Sequence, residues 1–197
     1  MLGKRQLEDF NLSTAQLNLL FRLRTIWRDI ATQLRSYLLY VFLDADPALI
    51  QSAKQQLTEL PVIYANIFRL YFGDVMADQH EQLMSNYVNL LTDLIDATKA
   101  GDEAAVQNYT QQINQNIEER LDLLTYYNPF WERGTLSNFL IEFNRRTLEQ
   151  IQSFAQGDFQ NNVSSFNSLL TFTDRIGDYF TEGLLRYITF SAREPRF

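Results

Sequence analysis

One histidine, His80, and no cysteine set the limits on what chemistry this chain can carry. A Ser-His-Asp triad would have one possible imidazole, and a multi-histidine metal site has no ligands. Without cysteine, a disulfide framework, a thiolate zinc site and thiol catalysis are excluded together. A carboxylate-bridged di-metal bundle requires Glu-x-x-His on two helices, and that string does not occur. A glycine-rich phosphate loop with its Walker-type lysine is missing as well. His80 itself lies in Asp78-Gln79-His80-Glu81, near an expected helix start, where an exposed imidazole is the ordinary expectation.

Carboxylates are the next source of chemistry. Glu118, Glu119, Asp93, Asp96, Glu142, Glu149, Asp174, Asp178 and Glu182 all fall on segments with helical period. Asp93 follows Tyr87 by six residues, and Glu149 follows Phe143 by six. Six residues turn a helix through about 600°, so acid and aromatic diverge by about 120°. Such acids sit at the edge of an apolar face, solvated or in ion pairs, with an oxygen-only divalent-cation site as the alternative. Asp178 and Glu182 share a face, and Arg175 and Arg186 flank them at helical spacing, which predicts salt bridges. The 17 basic residues are 14 Arg and three Lys. Arg22, Arg24, Arg28 and Arg35 load the first helix, and Arg133, Arg145 and Arg146 a later one. Arginine suits bidentate pairing with the acids of this chain, or else a small anionic ligand. A net charge of −7 argues against nucleic acid as a partner.

These residues must be positioned by helices. Ser13 with Gln16 forms a capping-box pattern, and the stripe Leu17, Leu20, Arg24, Trp27, Ala31, Leu34, Leu38, Val41 alternates three and four residues. Arg24, its polar member, is expected to snorkel or to pair with a carboxylate. Asp46-Pro47 caps and opens the next segment. Pro61 predicts a break near Leu60, giving two short helices, 48–59 and 61–72. Long helices are expected over 75–100, 103–126, 135–155 and 159–190, joined by Gly101-Asp102, by Asn128-Pro-Phe-Trp131 and by Gly157-Asp158. A shift of 56 residues lays one Gly-Asp turn on the other. It also lays Leu83, Met84, Tyr87, Ile95 and Ile113 on Phe139, Leu140, Phe143, Ile151 and Leu169. Two antiparallel helical hairpins of one build follow. The expected fold is all-α: an up-down bundle of about five long helices plus the short pair, in one domain over 13–190 with tails at 1–12 and 191–197.

The 15 Phe, 10 Tyr and two Trp crowd two places. Tyr37, Tyr40, Phe42, Tyr64, Phe68, Tyr71 and Phe72 surround the short helices, and Tyr126, Tyr127, Phe130 and Trp131 the connector. They are expected mostly in the core, some lining a pocket or interface. Glu8 and Asp9 stand where a signal peptide needs apolar residues, and arginines interrupt the most apolar stretch, Leu17 to Leu43. The expectation is a soluble cytoplasmic protein without a membrane span.

Several strings together resemble an uncharacterised family of small all-helical bacterial proteins, mostly from spore-forming Firmicutes. They are Trp27 with Arg35, Asp46-Pro47, Leu57-x-x-Leu-Pro61 leading to Tyr71-Phe-Gly73, Ala97-Thr-Lys-Ala-Gly-Asp102, Asn128-Pro-Phe-Trp131, Gly157-Asp158 and Thr181-Glu-Gly-Leu-Leu-Arg186. Some members carry an acetylglutamate-kinase label, for which this segment holds no nucleotide-binding residues. The resemblance covers residues 25 to 188 and implies a helical bundle. It also implies histidines in the first helix and in both hairpins, at positions that here are Ile30, Tyr87 and Phe143.

The functional expectation is a non-catalytic bundle acting by binding or assembly, through an unidentified protein partner or self-association. Its rivals are a ferritin-like bundle holding a divalent metal through carboxylates, and a bundle holding a small apolar or anionic ligand beside arginine. No residue is assigned a catalytic, cofactor-binding or metal-binding role.

Overall fold

The computed structural model describes residues 12–191, and the N-terminal stretch 1–11 and the last six residues lie outside that range. The two expected tails therefore fall almost wholly beyond it, as do Glu8 and Asp9. Within it the chain is all-α, with six helices: α1 (Thr14–Phe42), α2 (Pro47–Phe72), α3 (Asp74–Ala100), α4 (Glu103–Tyr127), α5 (Arg133–Ala155) and α6 (Phe159–Ser191).

Local signals set most of the helix ends. Ser13 accepts from the Gln16 amide while the Gln16 side chain accepts from the Ser13 amide, closing the capping box. Asp46 caps α2 through the Ala48 amide, with Pro47 in the first turn. Gly101 and Gly157 both take left-handed backbone, φ 71° and 72°, and the aspartate after each caps the next helix through an amide three residues on. The two hairpins thus turn by the same chemistry. Their matched positions also match in burial: Met84 and Leu140, Tyr87 and Phe143, Ile95 and Ile151, Ile113 and Leu169 are buried, while Leu83 and Phe139 are half-buried.

Pro61 corrects the expected count. No break occurs near Leu60; α2 runs unbroken through the proline, so one long helix replaces two short ones and the long helices number six. Proline inside a helix deletes one hydrogen bond and costs about 3 kcal/mol. The buried stripe Ala53, Leu57, Pro61, Tyr64, Phe68 continues across it against α1 and α3. Burying side chains of that size is worth roughly 1.5–3 kcal/mol each, enough to hold both halves in line.

One hydrophobic cluster draws on all six helices, with Trp27, Leu57, Tyr64, Tyr87, Ile117, Phe143 and Phe180 among its members. The first and last helices touch along their length. Arg24 grips Asp178 with two bonds of 2.6 and 2.9 Å, and Arg28 meets Asp174 at 3.2 Å. The residue numbers run in opposite directions along this contact, so α1 and α6 are antiparallel. At the same level a Cβ on Gly177 would stand 2.7 Å from the Arg24 backbone, so only glycine lets the two helices approach this closely. Arg24 thus takes the carboxylate partner expected of it. No helix among the described residues is long and apolar enough to cross a membrane.

Candidate functional site

Polar side chains gather at one level of the core. Helix α2 supplies Tyr64 and Phe68, four residues apart and so on one face. Helix α3 supplies His80, Met84 and Tyr87 at the same periodicity, and α4 supplies Asn116 and Arg120. Trp27 enters from α1, Phe143 and Asn144 from α5, and Phe180 from α6. The His80 ring stands edge-on to Tyr64 at 4.5 Å and to Phe68 at 4.7 Å, and Tyr64 stands edge-on to Trp27 at 5.8 Å.

Arg120 is the outlier. It is 2% exposed, lies 4.1 Å over the Tyr87 ring, and donates through Nη1 to the Met84 sulfur at 3.4 Å. No carboxylate pairs with it among the described residues. Its Nε has no acceptor, and His80 Nδ1, close enough to feel its charge, is also buried without a partner, while the Tyr64 hydroxyl and the Trp27 indole N–H have only each other. Tyr87 does little better, its hydroxyl reaching Asn144 Oδ1 at 3.5 Å.

Burial governs the electrostatics here. It pushes the guanidinium pKa down, but an arginine starts above 12 and keeps its charge at neutral pH. Burial, helped by Arg120, drives His80 down to about 3, so the imidazole is neutral. Burial likewise pushes Tyr87 up to about 12 and raises Tyr64, so both phenols keep their protons. None of these groups exchanges a proton near neutral pH. The layer offers one fixed positive charge and several N–H and O–H donors.

The repeat shows how foreign this layer is. The 56-residue shift sets His80 on Leu136 and Arg120 on Ile176, both fully buried and apolar. The first hairpin carries an imidazole and a guanidinium where its twin carries plain hydrocarbon.

His80 is a correction to the sequence expectation: it is 1% exposed, not a surface residue. The one-residue link at Gly73 folds α3 straight back on α2, and Tyr64 and Phe68 cover its first turns. Its place on the stripe Met76, His80, Met84, Tyr87 was the available signal. Arg120 lies likewise on the stripe Ile113, Ile117, Arg120, Leu124, whose helical period is the signal of its burial.

Most other singled-out residues join ion pairs at the surface. Lys54 meets Asp93 at 3.7 Å, Arg133 reaches Glu118 and Asp122, and Arg186 meets Glu182 at 2.5 Å. Arg145 binds Glu142 and Glu149, and with Arg146 it pulls the Glu142 carboxyl down to about 2. Asp178 turns to Arg24 rather than to Arg175, which instead stacks over Phe172 and Phe139. Asp96 accepts from the Tyr37 hydroxyl at 2.8 Å, Arg35 donates to Gln150, and Glu119 accepts from Gln115. Among the described residues no group of three or more histidines and carboxylates could hold a metal ion. Ile30, Tyr87 and Phe143, where the resemblance implies histidines, are all buried in the core.

The aromatic groups divide. Tyr64, Phe68 and Trp131 are buried, with the Trp131 indole donating to the Phe180 carbonyl at 3.3 Å, whereas Tyr126 is 82% exposed and Tyr71 lines an open groove between α1 and α2. Comparison with family models, with curated proteins and with solved structures finds no match.

Proposed function

We propose that this chain works by binding rather than by catalysis, and that it encloses a small anion against Arg120. The bundle supplies the enclosure, and the antiparallel course of its neighbouring helices supports an up-down order. One observation carries the reading: a permanently charged guanidinium is buried with no carboxylate partner among the described residues, its Nε without an acceptor and His80 Nδ1 unpartnered nearby. An isolated buried charge costs several kcal/mol, and stacking on Tyr87 offsets only part of that. An anion would neutralise the charge and give the N–H and O–H groups an acceptor. Among the described residues no group of three or more histidines and carboxylates stands together, which favours this reading over a metal held by carboxylates.

The test is thermal unfolding in a weakly coordinating buffer, with chloride, bromide, nitrate, acetate or inorganic phosphate added one at a time. At about a hundredfold excess over its dissociation constant a specific ligand stabilises by about 2.7 kcal/mol. At least one anion is expected to raise Tm saturably in the native chain and not in Arg120→Met. Removing a lone buried charge is neutral or favourable, so the variant without added anion is expected to be at least as stable as the native chain. A flat response to every anion, or an equal response from Arg120→Met, refutes the reading.

A further inference from the structure

Helix α1 divides its charges between two faces. Arg24 and Arg28 are committed to Asp178 and Asp174 on α6. On the other side Arg22 and Asp29 belong to no ion pair among the described residues, and both line the groove of about 840 Å³ between α1 and α2. Asp29 is half-buried there, and burial raises its pKa, the mark of a carboxylate short of a counter-charge.

Large apolar side chains project into that groove beside the polar Asn18, Thr25 and Asn66. Phe21 is 58% exposed on α1, and Ile63 and Leu70 are 53% and 70% exposed on α2, seven residues apart along one face. Large aliphatic and aromatic side chains grouped in this way mark a contact surface more often than ordinary exterior.

We infer that this face is where a second copy of the chain docks, as a two-fold pair in which Arg22 of each copy meets Asp29 of the other. The charges select this occupant. A cation and an anion seven residues apart on one helix are separated by about 10.5 Å along its axis. A two-fold axis through Thr25 and Ile26, midway between them, sets α1 antiparallel to its copy and exchanges the two positions. Each lone charge then finds its complement, and two ion pairs straddle the axis. Thr25, exposed at the crossing, is small enough for the helices to approach, while Phe21, Ile63 and Leu70 close over the flanks. The contact is isologous and therefore closes at two copies. It is independent of any anion at Arg120, which lies in the core.

Sedimentation velocity over a concentration series at low salt reads the assembly directly. A monomer–dimer equilibrium is expected for the native chain. Arg22→Asp or Asp29→Arg, each placing like charges face to face, is expected to weaken the dimer by about tenfold or more. The double exchange R22D/D29R reverses both signs and is expected to restore native affinity. Phe21→Ser abolishes the dimer without touching the charges. Unchanged thermal melts keep these surface variants interpretable. A chain that stays monomeric to about 1 mM, the limit of weak association, overturns the inference. So does a dimer indifferent to the single reversals, or a double exchange that fails to recover.

Discussion

His80 ties stability to pH because its neutral form alone fits among Tyr64, Phe68 and Arg120. The imidazole has a folded pKa near 3 against an ordinary 6.5, so between these values the unfolded chain binds more protons than the folded one. Stability from this residue is complete above the ordinary value and falls as pH drops toward the folded one, by roughly 1.4 kcal/mol per pH unit. His80→Leu, which adopts the residue found at the matching position of the second hairpin, is expected to flatten the decline of Tm between about pH 6 and pH 4.5. Comparing the melts of both chains across that range isolates the imidazole, since the carboxylates titrate alike in each. Parallel declines would dismiss His80 as the acid-sensitive group. Burial of His80 and Arg120 could be found in the sequence only by reading polar residues as members of an apolar stripe. Composition and residue type place both at the surface; the helical phase of their neighbours places them inside.

Helix ends and helix continuity follow different rules, which explains what was legible at the scale of elements. The Ser13 capping box, the Asp46-Pro47 start and the two Gly-Asp turns are local, made by residues within four positions of one another, and their sequence signatures reappear in the structure. Pro61 is also a local signal, but its cost is set against contacts to α1 and α3 that adjoining sequence does not display. Gly177 poses the same contest with the sign reversed. In an exposed helix, glycine to alanine gains about 1 kcal/mol. Here the new methyl would press on the Arg24 backbone, and overpacking of this kind costs about 1–3 kcal/mol. Gly177→Ala is therefore expected to lower the urea midpoint, with the loss traced to separation of α1 from α6. A raised midpoint would mean that the contact is loose enough to yield.

Seen whole, the molecule sets two hairpins of like build, α3–α4 and α5–α6, beside α1 and α2, and one of the hairpins is altered. Its two hairpins share turn chemistry and burial at matched positions, and that likeness was visible in the sequence because apolar class persists where identity does not. What one sequence does not display is which polar residues meet: Arg120, Tyr64, Trp27 and His80 come from four helices with no shared spacing. The candidate site is thus a property of the assembled bundle.

The antiparallel seam between α1 and α6 also governs how the backbone can be rewired. Moving about ten residues outward from the Arg24–Asp178 pair reaches the start of α1 and the last turns of α6 together, at one end of the molecule. A circularly permuted polypeptide, with residue 191 linked to residue 12 by a short flexible bridge so that the Ser13 cap is kept, and with new termini cut at the Gly101-Asp102 turn, is expected to unfold in one cooperative step with native helix content by circular dichroism. The order in which the ribosome delivers the six rods would then be immaterial to the architecture they reach.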